Sequence, residues 1–149
     1  MGYSYKQLTS DDLTLFKNLL KVFGEAFQEP DTYQKKVPPD TYLESFLAKS
    51  HVVVLVAREH DLVVGGLVAY ELEKFEQDRR ELYIYDLAVA EKHRRKGIAT
   101  ELITQLRHIG KARGAYVIFV QADPGDDPAI ALYESLGTRE DVHHFDILT

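Results

Sequence analysis

The chain has 149 residues, 45% of them apolar and 28% charged, with a formal net charge of −6 at pH 7. That length and composition suit a single soluble domain over residues 1–149 with a core of its own, and no apolar run approaches the ~20 residues that cross a bilayer. With no cysteine present, disulfides, thiolate metal sites and a cysteine nucleophile are excluded; the acidic balance suits a cationic partner better than nucleic acid, but mild acidity that only aids solubility accounts for it as well. The polar start gives no sign of a signal peptide, so a cytoplasmic location is expected.

Residues 3–8 alternate as a first strand. Thr9 or Ser10 can cap a helix in which Leu13, Phe16, Leu19, Leu20, Phe23 and Phe27 recur at helical spacing. Residues 28–39 are polar, hold Pro30, Pro38 and Pro39, and read as a loop. Residues 40–49 read as a second short helix. The β-branched run 52–57 predicts a buried strand, and a turn at His60-Asp61 leads into a second strand over 63–72, so the two form a hairpin. A charged connection, 74–80, precedes a long strand over 81–89. Residues 98–113 predict an amphipathic helix ended by Gly114. Residues 115–121 predict another buried strand, 123–127 a loop, and 128–136 a helix that tolerates Pro128 in its first turn. Residues 143–147 are strand-like. This order predicts an α/β (α+β) protein with a mixed sheet and helices on both faces.

Three groups of residues carry chemistry. The first is the strand end Asp86-Leu87-Ala88-Val89 followed by Arg94-Arg95-Lys96-Gly97-Ile98-Ala99-Thr100. A helix start leaves backbone N–H groups unpaired and carries partial positive charge. Gly97 and Ala99 leave room for a phosphate, and three basic side chains surround it, which suits a pyrophosphate held without a metal. No Walker or Rossmann glycine pattern is present. The second is the strand itself: simple alternation puts Glu81, Tyr83, Tyr85 and Leu87 on one face and Asp86 on the other, unless a bulge intervenes. The third is a set of acids, Asp123, Asp126 and Asp127, with Glu81, Asp86 and Asp146 as candidate neighbours. They suit a polycation equally with solvated turns and helix caps, and spacing does not choose. His143 and His144 lack any zinc-ligand spacing.

The string Arg94-x-x-Gly97-x-Ala99 after a buried strand resembles the acyl-CoA pyrophosphate loop of the GCN5-related N-acetyltransferases. Residues 126–137, ending Leu132-Tyr133-Glu134-Ser135-Leu136-Gly137, resemble that family's C-terminal helix, although Thr138 stands where phenylalanine is usual. Tyr83-Ile84-Tyr85-Asp86-Leu87-Ala88-Val89 and Gln121-Ala122-Asp123-Pro124-Gly125-Asp126-Asp127-Pro128-Ala129 look more specifically like the type I aminoglycoside 3-N-acetyltransferases. The resemblance implies a mostly antiparallel sheet, splayed between its fourth and fifth strands. It implies acetyl-CoA as co-substrate, no metal, and direct attack of an amine in a ternary complex.

By the same resemblance, CoA is held by Leu87, Ala88, Val89, Arg94, Arg95, Lys96, Gly97, Ile98, Ala99, Thr100, Asp126, Ala129 and Tyr133. The Leu87 N–H polarises the thioester carbonyl and Tyr133 protonates the leaving thiolate. The acceptor is a gentamicin-like polycation held by Tyr83, Tyr85, Asp123, Asp126, Asp127 and Asp146. Glu81 and Asp146 are the candidates for general base. Neither a nucleic-acid nor a membrane partner is expected, and a homodimer is left open. Acetylation of a polyamine or another small amine, and a non-catalytic CoA-binding module, stay open as alternatives.

Overall fold

The structure is a computed structural model that describes residues 2–149. Within them the elements run β1 (Tyr3–Gln7), α1 (Leu13–Ala26), α2 (Asp40–Ala48), β2 (Val52–Glu59), β3 (Leu62–Glu73), β4 (Arg80–Val89), α3 (Ile98–Arg113), β5 (Ala115–Val120) and α4 (Asp127–Leu136). The strands form a sheet in chain order, β1-β2-β3-β4-β5, with β1 to β4 successively antiparallel. β5 comes back through α3 and lies parallel to β4. The cross-strand contacts advance in the same direction along both: Tyr116 meets Glu81 and Phe119 stacks on Tyr83. The chain divides into two compact units, one ending at Phe119 and one spanning Val120–Thr149.

In the first unit the sheet is covered on both faces because its strands are apolar on both. Val54, Val56, Val68 and Ala88 share one face with Phe16, Leu19, Val22 and Phe23 of α1 and Leu43 and Leu47 of α2. Leu67, Leu82 and Ile84 are fully buried on the other, where Leu102 and Leu106 of α3 are likewise buried. Gly110 sets how closely α3 lies on β4: a Cβ there would come within 2.9 Å of a Leu82 methyl. The β2–β3 hairpin turns at His60, which takes a positive φ of 55°. Among the described residues no helix is long and apolar enough to cross a membrane, and no group of three or more His, Asp or Glu side chains is placed to hold a metal ion.

Four expectations change. α1 starts at Leu13, not at Thr9 or Ser10. The Asp12 carboxylate accepts from the Thr9 N–H at 2.8 Å and from Lys6, which fixes a turn ahead of the helix. The 28–39 loop contains one π-type turn, Asp31–Lys35, which packs Tyr33 against Phe23 and Phe27. Strand β5 is not buried: Tyr116 and Val117 are exposed. The strand expected over 143–147 is absent, and residues 138–149 have neither helix nor strand and are exposed. Alternating apolar residues make a strand only where a neighbour takes up the backbone N–H and C=O groups.

Candidate active site

The centre of the site is a bulge in β4. Tyr83 pairs with Tyr70 and Ile84 with Ala69, but Asp86 pairs with the next residue, Val68, so that Tyr85 is the extra residue. A bulge of this kind reverses the alternation beyond it. Asp86 therefore joins Tyr83 and Tyr70 on the α1/α2 face, and Leu87, opposite Leu67, goes to the α3 face. This corrects the simple alternation, which grouped Tyr83 with Leu87 and set Asp86 apart. The Tyr85 ring stays beside Tyr70 and Tyr83, with centroids 5.8 and 5.7 Å away.

The C-terminal half of β4 also has an open edge. The Ala90 N–H donates to the Val64 carbonyl on β3 at 2.7 Å. N–H groups alternate in direction along a strand, so those of Val89 and Leu87 point away from β3, towards the β5 side. The contacts Glu81–Tyr116 and Tyr83–Phe119 bring β5 level with the first half of β4. Tyr85 to Val89 thus run on beyond it. On this edge the Val89 carbonyl accepts from Arg94 Nε at 3.0 Å.

The basic turn that follows leaves backbone donors and positive charge at one point. After a 3-10 turn, Glu91–His93, Arg95 and Gly97 both take positive φ, 61° and 80°. Gly97 is the N-cap of α3 and gives no side-chain cap, so the first N–H groups of the helix at Ile98, Ala99 and Thr100 are left for another acceptor. A Cβ built on Gly97 meets nothing within 4 Å, so the approach is open. Arg94, Arg95 and Lys96 are exposed around it. A cavity of about 250 Å³ lies beside this turn, lined by Val22, Glu25 and Ala26 of α1 and by Ala90, Glu91 and Arg94.

The acids fall into separate settings. Glu81 accepts a 2.5 Å bond from the Tyr116 hydroxyl and pairs with Lys74 at 3.2 Å. The Tyr116 bond above all, then Lys74, holds its carboxyl below the usual range. Asp86 accepts from the Tyr33 hydroxyl at 3.0 Å. Burial pushes its carboxyl above the usual range against that bond, and the nearby Glu29 carboxylate adds to the rise. Sequence reasoning missed Tyr33 altogether; one acid inside an otherwise apolar and aromatic strand was the only signal for Asp86.

In the second unit, Asp126 caps α4 through the Ala129 N–H at 3.4 Å, and Asp127 stands in its first turn. Asp123 lies three residues earlier, its carbonyl accepting the Asp126 N–H. Asp146 is exposed and bonded to His144 Nε2 at 2.9 Å. The Tyr133 hydroxyl is pushed up to about 12, first by burial and then by Asp126, so it remains a proton donor at neutral pH.

A mixed sheet with its fourth strand bulged and its fifth running parallel, and helices on both faces, is the architecture expected of the GCN5-related fold. Residues 17–138 match the Acetyltransferase (GNAT) family, and the chain belongs to it. A crystallised aminoglycoside acetyltransferase, HMB0005, from an uncultured soil metagenomic sample is 52% identical, with a TM-score of 0.98 over 100% of this chain and 99% of that one. A second aminoglycoside acetyltransferase from such a sample, meta-AAC0020, solved in complex with sisomicin, is 31% identical, with a TM-score of 0.90 over 99% of this chain and 97% of that one. N-acetyltransferase family 8 member 2 of Rattus norvegicus is 26% identical over 96 residues, which make up 64% of this chain and 42% of that protein's length.

Proposed function

We propose that this protein transfers the acetyl group of acetyl-CoA to the 3-amino group of 2-deoxystreptamine aminoglycosides of the gentamicin type, and thereby inactivates them in the cytoplasm. The observation that carries the reading is the 52% identity, over the whole chain, to an aminoglycoside acetyltransferase. The uncapped start of α3 supports the acetyl-CoA part of it. Ile98, Ala99 and Thr100 would give N–H groups to the pyrophosphate, with Arg94, Arg95 and Lys96 supplying charge. Leu87, Ala88 and Val89 would lie along the pantetheine arm, and Asp126 and Ala129 of the second unit are the further residues that the family resemblance assigns to CoA.

Acetyl-CoA supplies an activated acyl carbon. The Leu87 N–H, on the open edge of β4, would stabilise negative charge on the carbonyl oxygen as an amine adds. Tyr133, kept protonated by its burial and by Asp126, would give a proton to the departing thiolate. The polycation would be drawn by Asp123, Asp127 and Asp146 and would rest its ring against Tyr83 and Tyr85. The lack of a cysteine and of a serine in a nucleophile motif supports direct attack of the amine on the thioester.

The test is an acetyl-transfer assay with gentamicin, sisomicin, a polyamine and a simple primary amine as acceptors. Acetylation of the aminoglycosides is expected. Acetylation of spermidine with none of any aminoglycoside overturns the reading and leaves a small-amine acetyltransferase in its place.

A further inference from the structure

Tyr85 occupies the bulge, and the bulge brings Asp86 round to the face that carries Tyr70 and Tyr83. The segment between α1 and α2 reaches across to the same point, where Tyr33 bonds Asp86. The charge felt by Asp86 from outside its own strand comes from Tyr33 and from Glu29, another acid. Tyr83 and Tyr85 on β4, Tyr70 on β3, and Tyr42 of α2 through Tyr70 are further titratable groups on this face. Among the described residues no lysine, arginine or histidine forms an ion pair with Asp86, whose hydrogen-bond partner is the Tyr33 hydroxyl. The other acid of unit one that was named for the site differs in this respect: Glu81 already has Lys74 and Tyr116.

We propose that Asp86 is a catalytic residue, the carboxylate that binds the acceptor's ammonium group and takes its proton, with Tyr33 as the positioning residue that holds it. This rests on the acetyl-transfer reading above and names a different base from Glu81 and Asp146. Asp86 precedes Leu87, so the proton acceptor and the N–H on the open edge of β4 are one residue apart along the strand. The aromatic rings of Tyr70, Tyr83 and Tyr85 offer faces on which a cation rests favourably.

In the step itself, the ammonium gives one proton to Asp86 and becomes an amine. Its lone pair forms the C–N bond with the acetyl carbon, the C–S bond breaks, and its electron pair leaves on sulfur. The second amine proton balances the one that the thiolate takes up. Amide, thiol and protonated Asp86 result, and Asp86 returns its proton to water. Burial, which raises the Asp86 carboxyl, brings it nearer to the working pH of a general base.

The experiment is the pH dependence of kcat/KM for Asp86→Asn and Tyr33→Phe, on whichever amine of the panel the wild type acetylates best. Asp86→Asn is expected to lower kcat/KM by about 100-fold or more at pH 7 and to abolish the acidic limb of the profile, with acetyl-CoA affinity by calorimetry unchanged. Tyr33→Phe removes a bond that favours the carboxylate, so its acidic limb is expected to move to higher pH. If Asp86→Asn does not fold, the Tyr33→Phe profile decides. An Asp86→Asn protein within about threefold of wild type with its acidic limb intact, or a Tyr33→Phe limb that stays in place or moves down, overturns the proposal. A wild type that acetylates only polyamines overturns the aminoglycoside reading alone, and Asp86 is then judged on the polyamine.

Discussion

A half-buried carboxylate costs folding free energy whenever it is ionised, because its charge has left water. At Asp86 burial outweighs the Tyr33 bond, and the folded protein binds the proton more tightly than the unfolded chain. The sign follows from linkage: stability from this group is fully present below the unfolded pKa of about 3.9 and is lost as pH rises to the folded value. Asp86→Asn should therefore melt at a higher temperature than wild type at pH 7, and the gap should shrink as the pH falls towards 4. A melting series over that range checks this, and a variant less stable than wild type at pH 7 contradicts it. Tyr133 is read the other way, as a group that must stay protonated. Tyr133→Phe should lower kcat while leaving acetyl-CoA affinity near that of wild type, as single-turnover kinetics and calorimetry would show. Unchanged single-turnover rates would make Tyr133 a packing residue.

Among the elements, the start of α3 allows the sharpest separation of fold from binding. Gly97 has φ +80° and open space where a Cβ would be. Gly97→Ala should thus cost only backbone strain, about 1 kcal/mol of stability in a denaturant titration, and keep measurable acetyl-CoA binding. Gly97→Asp sets a carboxylate before the N–H groups of Ile98, Ala99 and Thr100 and should abolish that binding in a folded protein. Equal acetyl-CoA affinity in the two variants would remove the phosphate from this turn. The start of this helix was legible in the sequence because a glycine N-cap after a strand and a basic turn is a local device, set by Gly97 and its immediate neighbours. The β2–β3 hairpin was legible for the same reason, through its apolar runs and the His60-Asp61 turn. The bulge at Tyr85 was not: alternation finds a strand but gives no sign of where one residue is surplus, since Tyr83, Tyr85 and Asp86 fit either face. Tyr33 was out of reach because it meets Asp86 across 53 residues. The absent strand over 143–147 has the opposite cause, a pattern suited to pairing in a segment that finds no partner strand among the described residues.

For the whole molecule, a net charge of −6 and the polycationic acceptor proposed above predict attraction at long range. Added salt screens it, so kcat/KM for gentamicin should fall steeply as ionic strength rises from millimolar to half-molar, and less so for a monoamine. Equal salt dependence for the two would mean that the acids Asp123, Asp127 and Asp146 only solvate their turns. Acetyl transfer to the 3-amino group of an aminoglycoside is decided by letting the protein and acetyl-CoA act on gentamicin and locating the new acetyl group by NMR. A single product with its acetamide at N3 of the 2-deoxystreptamine ring is expected. A product acetylated at the 6′-amine alone, or no acetylated drug from a protein that acetylates spermidine, would contradict it.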